Sequence, residues 1–344
     1  MDREGFRTFL RSWQVSDEAA HASLRAIERF ERFLEQSRAT RRARTSDAGG
    51  EEEDAAPLTR AGSSELDAYL ATLIAQRANR REDLTAITRY ARFTANDPLY
   101  VAAFELLDGS QALDNLYRRL GRELGPEGRG RVFGDIPPPP LGTPNSQKPP
   151  LTQAIIERLI GTVGPLRCAA ILEEGLHESP APPRRDAGRR VHFSLSSLDA
   201  HLEEQRAARL AELEEAQTHG RLWFTQPVTP EVIAFVRSEP EIASPVRRGH
   251  TLYKTKIPYM THDYLQATEA HERNYSYCHC PWVRDALRSG AAQVPPIWCN
   301  CSTACIKRPY ETLLGQPLAA EILESVLRGD ARCRFAIHLP PQVT

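Results

Sequence analysis

The sequence predicts an α+β protein: an N-terminal α-helical bundle followed by a cysteine-rich α+β domain with an antiparallel sheet. Three observations carry that prediction. Apolar residues recur at helical spacing from Phe6 to Leu120. A proline-rich stretch with Pro137-Pro138-Pro139-Pro140 and Pro149-Pro150 then interrupts the pattern. Towards the end, the segments Thr251–Ile257 and Cys333–Leu339 alternate with a period of two, as half-buried strands do.

At 344 residues the chain has room for two or three domains and a sizeable core. A formal net charge of −1 with 26% charged residues gives no general basic field, so neither nucleic acid nor a membrane surface is an expected partner. No apolar run approaches the roughly 18 residues that a membrane span needs. Met1-Asp2-Arg3-Glu4 is too polar to open a signal peptide, which makes a cytoplasmic location the expectation. Clustered cysteines in a reducing cytosol read as metal-binding, catalytic or redox-active before they read as structural disulfides.

Residues 1–124 form the predicted bundle. Phe6, Phe9, Leu10 and Trp13 make one apolar stripe, and Leu24, Ile27, Phe30 and Leu34 another, with Ser16 placed to cap the second helix. Between residues 38 and 64 the composition turns to Arg, Glu, Asp, Gly and Ser, which predicts a disordered loop. Helical spacing resumes from Leu66 to Leu120. Residues 125–150 read as a Pro-rich linker. Residues 151–220 read as a helical connector, with a helix over 151–174 carrying the isolated Cys168 as a small hydrophobe, a Pro/Arg-rich loop over 179–190, and a charged helix from Leu198 to Thr218. The α+β domain spans 221–344. In it Thr229-Pro230-Glu231 opens a helix with an N-cap and a first-turn proline.

Six of the seven cysteines and four of the ten histidines lie between Tyr259 and the C-terminus. Two Cys-x-Cys pairs, Cys278/Cys280 and Cys299/Cys301, stand eighteen residues apart, each beside a tryptophan. Four such thiols meet around one ion if the intervening segment folds back, and zinc takes ligands of this kind in a tetrahedron. Cys-x-Cys is also what a strand shows when it places two thiols on one face, so packed thiols and thiol redox chemistry stay open. Cys305 is spaced i, i+4 from Cys301 and ranks below the others.

At the end of the chain, Gly329-Asp330 suits a two-residue hairpin loop. That hairpin would pair Leu327 with Arg332 and Val326 with Cys333, leaving Ile322, Glu324 and Val326 facing inward beside Cys333. An inward Glu324 needs a partner, either a metal ion or an arginine such as Arg308. The candidate metal ligands are therefore Cys278, Cys280, Cys299, Cys301, Glu324 and Cys333. If the site is catalytic, Cys280 is a nucleophile or ligand, His279 a general base, and Arg284 a holder of a substrate carboxylate.

The run from Trp298 to Leu339, with Leu-Gly-Gln-Pro-Leu at 314–318 and Gly-Asp-Ala-Arg-Cys-Arg-Phe at 329–335, resembles the C-terminal part of the 4-vinyl reductase domain superfamily. It is also similar to the end of L-2-amino-thiazoline-4-carboxylate hydrolase-like proteins. The pairing of Tyr277-Cys278-His279-Cys280-Pro281-Trp282 with Trp298-Cys299-Asn300-Cys301-Ser302 resembles an uncharacterised prokaryotic family that carries this signature near the end of its chains. The 4-vinyl reductase resemblance implies a small-molecule pocket between sheet and helices, and a structural zinc held by cysteines and a glutamate in the phenol-sensing members. Matched to that pattern, Cys299 and Cys333 take two ligand positions, while the third cysteine falls on Ser325 and the glutamate on Ile322.

The function expected is a cysteine-rich zinc or thiolate centre beside a small-molecule pocket, in a hydrolase-like enzyme. A small-molecule or metal sensor, and a redox-active thiol protein, are the alternatives. Expected partners are a small-molecule ligand and a second copy of the chain in a homodimer.

Overall fold

The computed structural model describes residues 1–44, 57–177 and 195–341. The chain divides into two compact units, Met1–Ser110 with Pro139–Pro144, and Gln111–Pro138 with Asn145–Thr344.

The first unit is helical: α1 (Arg3–Ser12), α2 (Asp17–Arg44), α3 (Ser63–Ala75), α4 (Arg81–Phe93) and α5 (Asp97–Leu107). Most of the expected stripes form its core, with Phe6, Leu10, Ile27, Phe30, Leu66 and Ile87 at or near zero exposure, but Trp13, expected in the first stripe, is 57% exposed beyond the end of α1. The Ser16 hydroxyl accepts from the Ala19 amide at 3.3 Å and caps α2 as its spacing predicts. Asn96 caps α5 through Leu99 at 3.1 Å, and its amide donates to the carbonyls of Leu58 and Ala61. An Arg29–Asp83 ion pair links α2 to α4. Both ends of the disordered loop expected over 38–64 are ordered, since α2 runs to Arg44 and Pro57–Thr59 is a 3-10 turn. Its middle lies outside the described residues.

The second unit opens with α6 (Ala112–Glu123), α7 (Gly125–Phe133), α8 (Lys148–Val163) and α9 (Pro165–Glu173). Two expectations change here. The stretch 125–150 is not wholly linker: Gly125-Pro126 starts α7 with proline in the first turn, where its missing N–H costs nothing, and Pro149-Pro150 do the same for α8. The single helix expected over 151–174 breaks at Gly164, which takes φ +78° and lets Pro165 begin α9. The Pro/Arg-rich loop at 179–190 lies outside the described residues.

Next come α10 (Leu195–Thr218), α11 (Pro230–Ser238), α12 (Pro240–Ala243), β1 (Val246–Arg248), β2 (Thr251–Thr255), α13 (Thr261–Gln266), α14 (Ala270–Tyr277), α15 (Arg284–Ser289), α16 (Cys301–Leu314), β3 (Ala319–Glu324) and β4 (Arg334–His338). Thr229 caps α11 through the Val232 amide at 3.4 Å. The four strands form one antiparallel sheet in the order β1-β2-β4-β3. The protein is thus mixed α+β, mostly helical, with its sheet in the C-terminal region. Among the described residues no helix is long and apolar enough to cross a membrane.

The terminal hairpin is wider than the sequence suggests. β3 ends at Glu324, which pairs with Arg334 after a bulge, and Ile322 pairs with Phe335. Val326–Arg328 is a 3-10 turn, so Val326 does not sit opposite Cys333. Ser325 redirects the chain: its hydroxyl accepts from Leu327 at 3.2 Å, while its own amide donates to Asp330 at 2.7 Å. Behind β4, Glu241 of α12 accepts a bidentate pair from Arg334 at 2.7 and 2.8 Å and a third bond from Thr255 at 3.0 Å. Burial raises the Glu241 carboxyl, but these donors outweigh it and hold it below its ordinary value.

Gly175 follows α9 at φ +83°, and a Cβ there would stand 2.7 Å from the Cβ of Ala304 on α16. Gly175→Ala therefore forces two helices apart and strains the backbone. An expected loss of about 1–3 kcal/mol should appear as a lower denaturation midpoint in urea.

Candidate metal centre

Three chain segments bring the thiols together. The first leaves α14, whose last residue Tyr277 donates its hydroxyl to the Lys256 carbonyl at 2.6 Å. The amides of Tyr259 and Met260 donate to the carbonyls of Tyr277 and Ser276, so the chain after β2 is stitched to the end of α14. Cys278 then caps α14, and the Cys280 carbonyl accepts from Val283 and Arg284 to turn the chain into α15. The second segment places Cys299 in a 3-10 turn, Pro296–Asn300, and Cys301 at the start of α16. The third carries Cys333 just before β4, its carbonyl accepting from the Lys256 amide at 3.0 Å.

All of this sits in one apolar core. Tyr277, Trp282, Trp298 and Val326 are at most 2% exposed, and Cys278 and Cys301 are buried among them, with Cys280 and Cys333 packed against the same cluster. The tryptophans beside the Cys-x-Cys pairs are core walls. Trp298 is also a donor, its indole N–H reaching the Cys280 sulfur at 3.3 Å. The Ser325 hydroxyl donates to the Cys299 sulfur at 3.4 Å. Within the protein, then, two sulfurs already accept hydrogen bonds, a role that suits thiolates far better than thiols.

Burial dominates the electrostatics. It pushes the Cys299 thiol up to about 12 and the Cys278 and Cys301 thiols well above their ordinary value, and each thiolate raises its neighbours further. Cys333 rises by burial too, offset by Lys256 and by hydrogen bonds from Val326 and Ser325. The Lys256 side chain reaches into the cluster and donates to Ser302 at 3.1 Å. Burial lowers its pKa, and the thiolate forms of Cys333, Cys305, Cys301 and Cys278 outweigh that and raise it. Ammonium and thiolates stabilise each other, but at neutral pH burial keeps the thiols protonated.

The remaining expected site residues fall into different roles. His279 sets Nε2 at 2.6 Å from the Ile257 carbonyl, so that nitrogen carries the proton. Burial, followed by Lys256, lowers its pKa to about 3, which makes it a weak base for catalysis at pH 7. Arg284 is buried, its guanidinium 4.4 Å from the Tyr259 ring centre and 5.0 Å from that of Tyr275. Glu324 has its partner in an arginine: Arg332 donates at 2.9 and 3.1 Å, and Arg334 stands at 3.8 Å. The carboxylate expected among the metal ligands is thus held by Arg332, not by Arg308. Cys305 is exposed on α16, and Cys168 is a buried core thiol pushed up to about 12. Three contributors are not among the expected site residues: Lys256, the Trp298 indole and Ser325. For Lys256 the alternation along β2, which puts it on the face of the buried Leu252, was the available signal.

The structure brings five thiols of the expected ligand set, Cys278, Cys280, Cys299, Cys301 and Cys333, to one place. It does not draw them onto a point. Among the described residues no group of three or more His, Cys, Asp or Glu side chains is arranged to hold a single metal ion. A zinc tetrahedron, with Zn–S about 2.3 Å, needs closer convergence than these side chains show. One cavity lies in the first unit, lined by Phe33, Leu34, Thr40, Glu65 and Ala68, and includes none of the cysteines. No family model, curated protein or solved structure matches the chain.

In metal-free protein, Cys305 should react first with a thiol reagent. Cys278 and Cys301, which are buried, should react only at the rate at which the fold opens, with the half-buried Cys280, Cys299 and Cys333 in between. Timed alkylation read by peptide mass spectrometry checks this, with Cys305→Ser removing the fast phase.

Proposed function

We propose that the second unit is built around a metal–thiolate centre supplied by Cys278, Cys280, Cys299 and Cys333, with Cys301 alongside. What supports this reading is that thiols from three segments, Cys278 and Cys301 buried and Cys280, Cys299 and Cys333 half-buried, lie together, with the Trp298 indole and the Ser325 hydroxyl donating to two of the sulfurs. Thiols raised so far are poor nucleophiles at neutral pH, and His279 is not poised to activate one. A bound metal changes the balance, because a coordinating thiol is deprotonated outright. The dianion that four thiolates leave on a divalent ion would find a counter-charge in Lys256. These points favour a binding or redox centre over cysteine nucleophilic catalysis. Zinc is the simplest metal to consider. A 4-vinyl-reductase-like arrangement of the sheet belongs to the same proposal, supported by the Gly329–Phe335 run leading into β4. So do a small-molecule ligand and a cytoplasmic setting that keeps the thiols reduced.

Purified protein is expected to carry tightly held metal, and a strong chelator should free the thiols while lowering the thermal midpoint by several degrees. Fully titratable thiols in folded protein without any metal would overturn the proposal. Acid should release the metal, because protons compete for sulfurs whose metal-free pKa values lie above the ordinary thiol range. Occupancy is therefore retained at pH 8 and falls as the pH drops, measurable by metal analysis after equilibration at each pH. Cys278→Ser should lose most of the metal, whereas Cys305→Ser keeps it.

A further inference from the structure

Of the 44 Lys and Arg residues in the chain, four are lysines: Lys148, Lys254, Lys256 and Lys307. An arginine keeps its proton in a protein, whereas a lysine can lose it and then carries a nucleophilic lone pair. Lys254 stands where that loss is favoured. It lies on β2, two residues from the buried Leu252, on the face that packs against Leu198 and Leu202 of α10. Its Nζ donates to the Ile242 carbonyl of α12 at 2.5 Å. Arg206 of α10 donates to the Pro240 carbonyl of the same short helix at 3.0 Å. Arg209 follows one turn later on α10, its guanidinium 5.1 Å from the Trp223 ring centre.

The charges around this amine are unequal. Arg206 and Arg209 face it from α10. Their ion-pair partners on that helix, Glu203 and Glu212, are more than half exposed, so water screens them. From α12 comes Glu241, whose carboxylate is committed to Arg334 of β4 at 2.7 and 2.8 Å, to Thr255 at 3.0 Å and to Arg248 of β1 at 3.5 Å. Lys254 therefore meets a neutral carbonyl where a desolvated ammonium calls for a carboxylate. Burial first, then Arg209 and Arg206, lower its pKa to about 7 against the pull of Glu241. Near neutral pH much of the amine is unprotonated, the state in which lysine is a nucleophile. Half-buried, it favours a small electrophile, and the two guanidiniums favour a product that is an anion. An aldehyde fails the second requirement, since an imine carries no negative charge. Carbon dioxide meets both.

We propose that Lys254 is a carbamylation site, at which the ε-amine adds carbon dioxide to form an N-carboxylate balanced by Arg206 and Arg209. The nitrogen lone pair forms a bond to carbon, one C=O electron pair moves onto oxygen, and one N–H proton leaves to solvent. Nothing is oxidised or reduced. One N–H remains and keeps its place as donor to the Ile242 carbonyl. The side chain at position 254 changes from a cation or neutral amine to an anion, so its charge follows carbon dioxide and pH together. The site shares no residue with the thiol centre and stands or falls apart from it.

The test uses the full chain equilibrated with carbon dioxide and bicarbonate labelled with carbon-13. Triethyloxonium traps the carboxylate as its ethyl ester, which peptide mass spectrometry then locates. The expected result is a labelled ethoxycarbonyl group on Lys254, at roughly tenfold or more the level on Lys148, Lys256 and Lys307. In the unaltered protein the label should fall as the pH drops below about 7, where the amine takes up its proton. Lys254→Arg should remove the label. Replacing Arg206 and Arg209 together by glutamine should cut it several-fold, while Arg237→Gln, at an exposed ion pair with Glu214, should leave it unchanged. Label on Lys254 no greater than on the other three lysines sinks the proposal. So does label that is independent of pH, or that survives the paired arginine change undiminished in folded protein.

Discussion

Charge balance inside an apolar core is the constraint on which the second unit depends. Lys256 reaches into a set of thiols held among Tyr277, Trp282, Trp298 and Val326, and the thiolate forms of those cysteines are what raise its pKa. Lys256 is half-buried, and a charge withdrawn from water in this way is stabilised by a polar or ionic partner. Burial keeps the thiols neutral, and the ammonium has a partner in the Ser302 hydroxyl at 3.1 Å. Burial opposes ionisation of the thiols, and the Lys256 ammonium favours it.

The rest of the unit holds those groups in place. The hydroxyl of Tyr277 and the amides of Tyr259 and Met260 tie the end of β2 to the end of α14, which sets Lys256 beside Cys278. The Glu241 clamp on Arg334 and Thr255 fixes β4 against β2, and with it Cys333. Arg119 of α6 donates to the Ile171 and Gly175 carbonyls at 2.6 and 2.7 Å, closing the end of α9 against which α16 and Cys301 pack. Each anchor lies outside the sulfur cluster, and each acts on one of its three segments.

Much of this was legible in the sequence, and the failures have physical causes. The amphipathic stripes of α1 to α6 and the caps at Ser16 and Thr229 follow from local periodicity and side-chain reach, so they read correctly. The antiparallel sheet and the gathering of Cys278, Cys280, Cys299, Cys301 and Cys333 also follow, because alternation and ligand density are local signals. The terminal hairpin register did not, since Gly329-Asp330 looks like a complete turn until Ser325 is seen to redirect the chain four residues earlier. The linker and the helix break at Gly164 turned on whether proline opens or ends a helix, a choice that tertiary contacts make. Glu324 does not face inward beside Cys333: it is half-exposed, pairs with Arg334 across the bulge, and is held by Arg332, eight residues on. Trp298 and Ser325 stood out in the sequence only as a neighbour of Cys299 and as a serine at a matched cysteine position, and folding makes them donors to sulfur.

Whether these thiols hold metal in a shell of sulfur is tested most directly by X-ray absorption at the edge of whatever metal the full-length protein retains. The predicted result is a first coordination shell made of sulfur alone, at about 2.3 Å. A shell of nitrogen or oxygen would contradict it, as would a sulfur shell that persists unchanged when Cys278 and Cys299 are both replaced by serine.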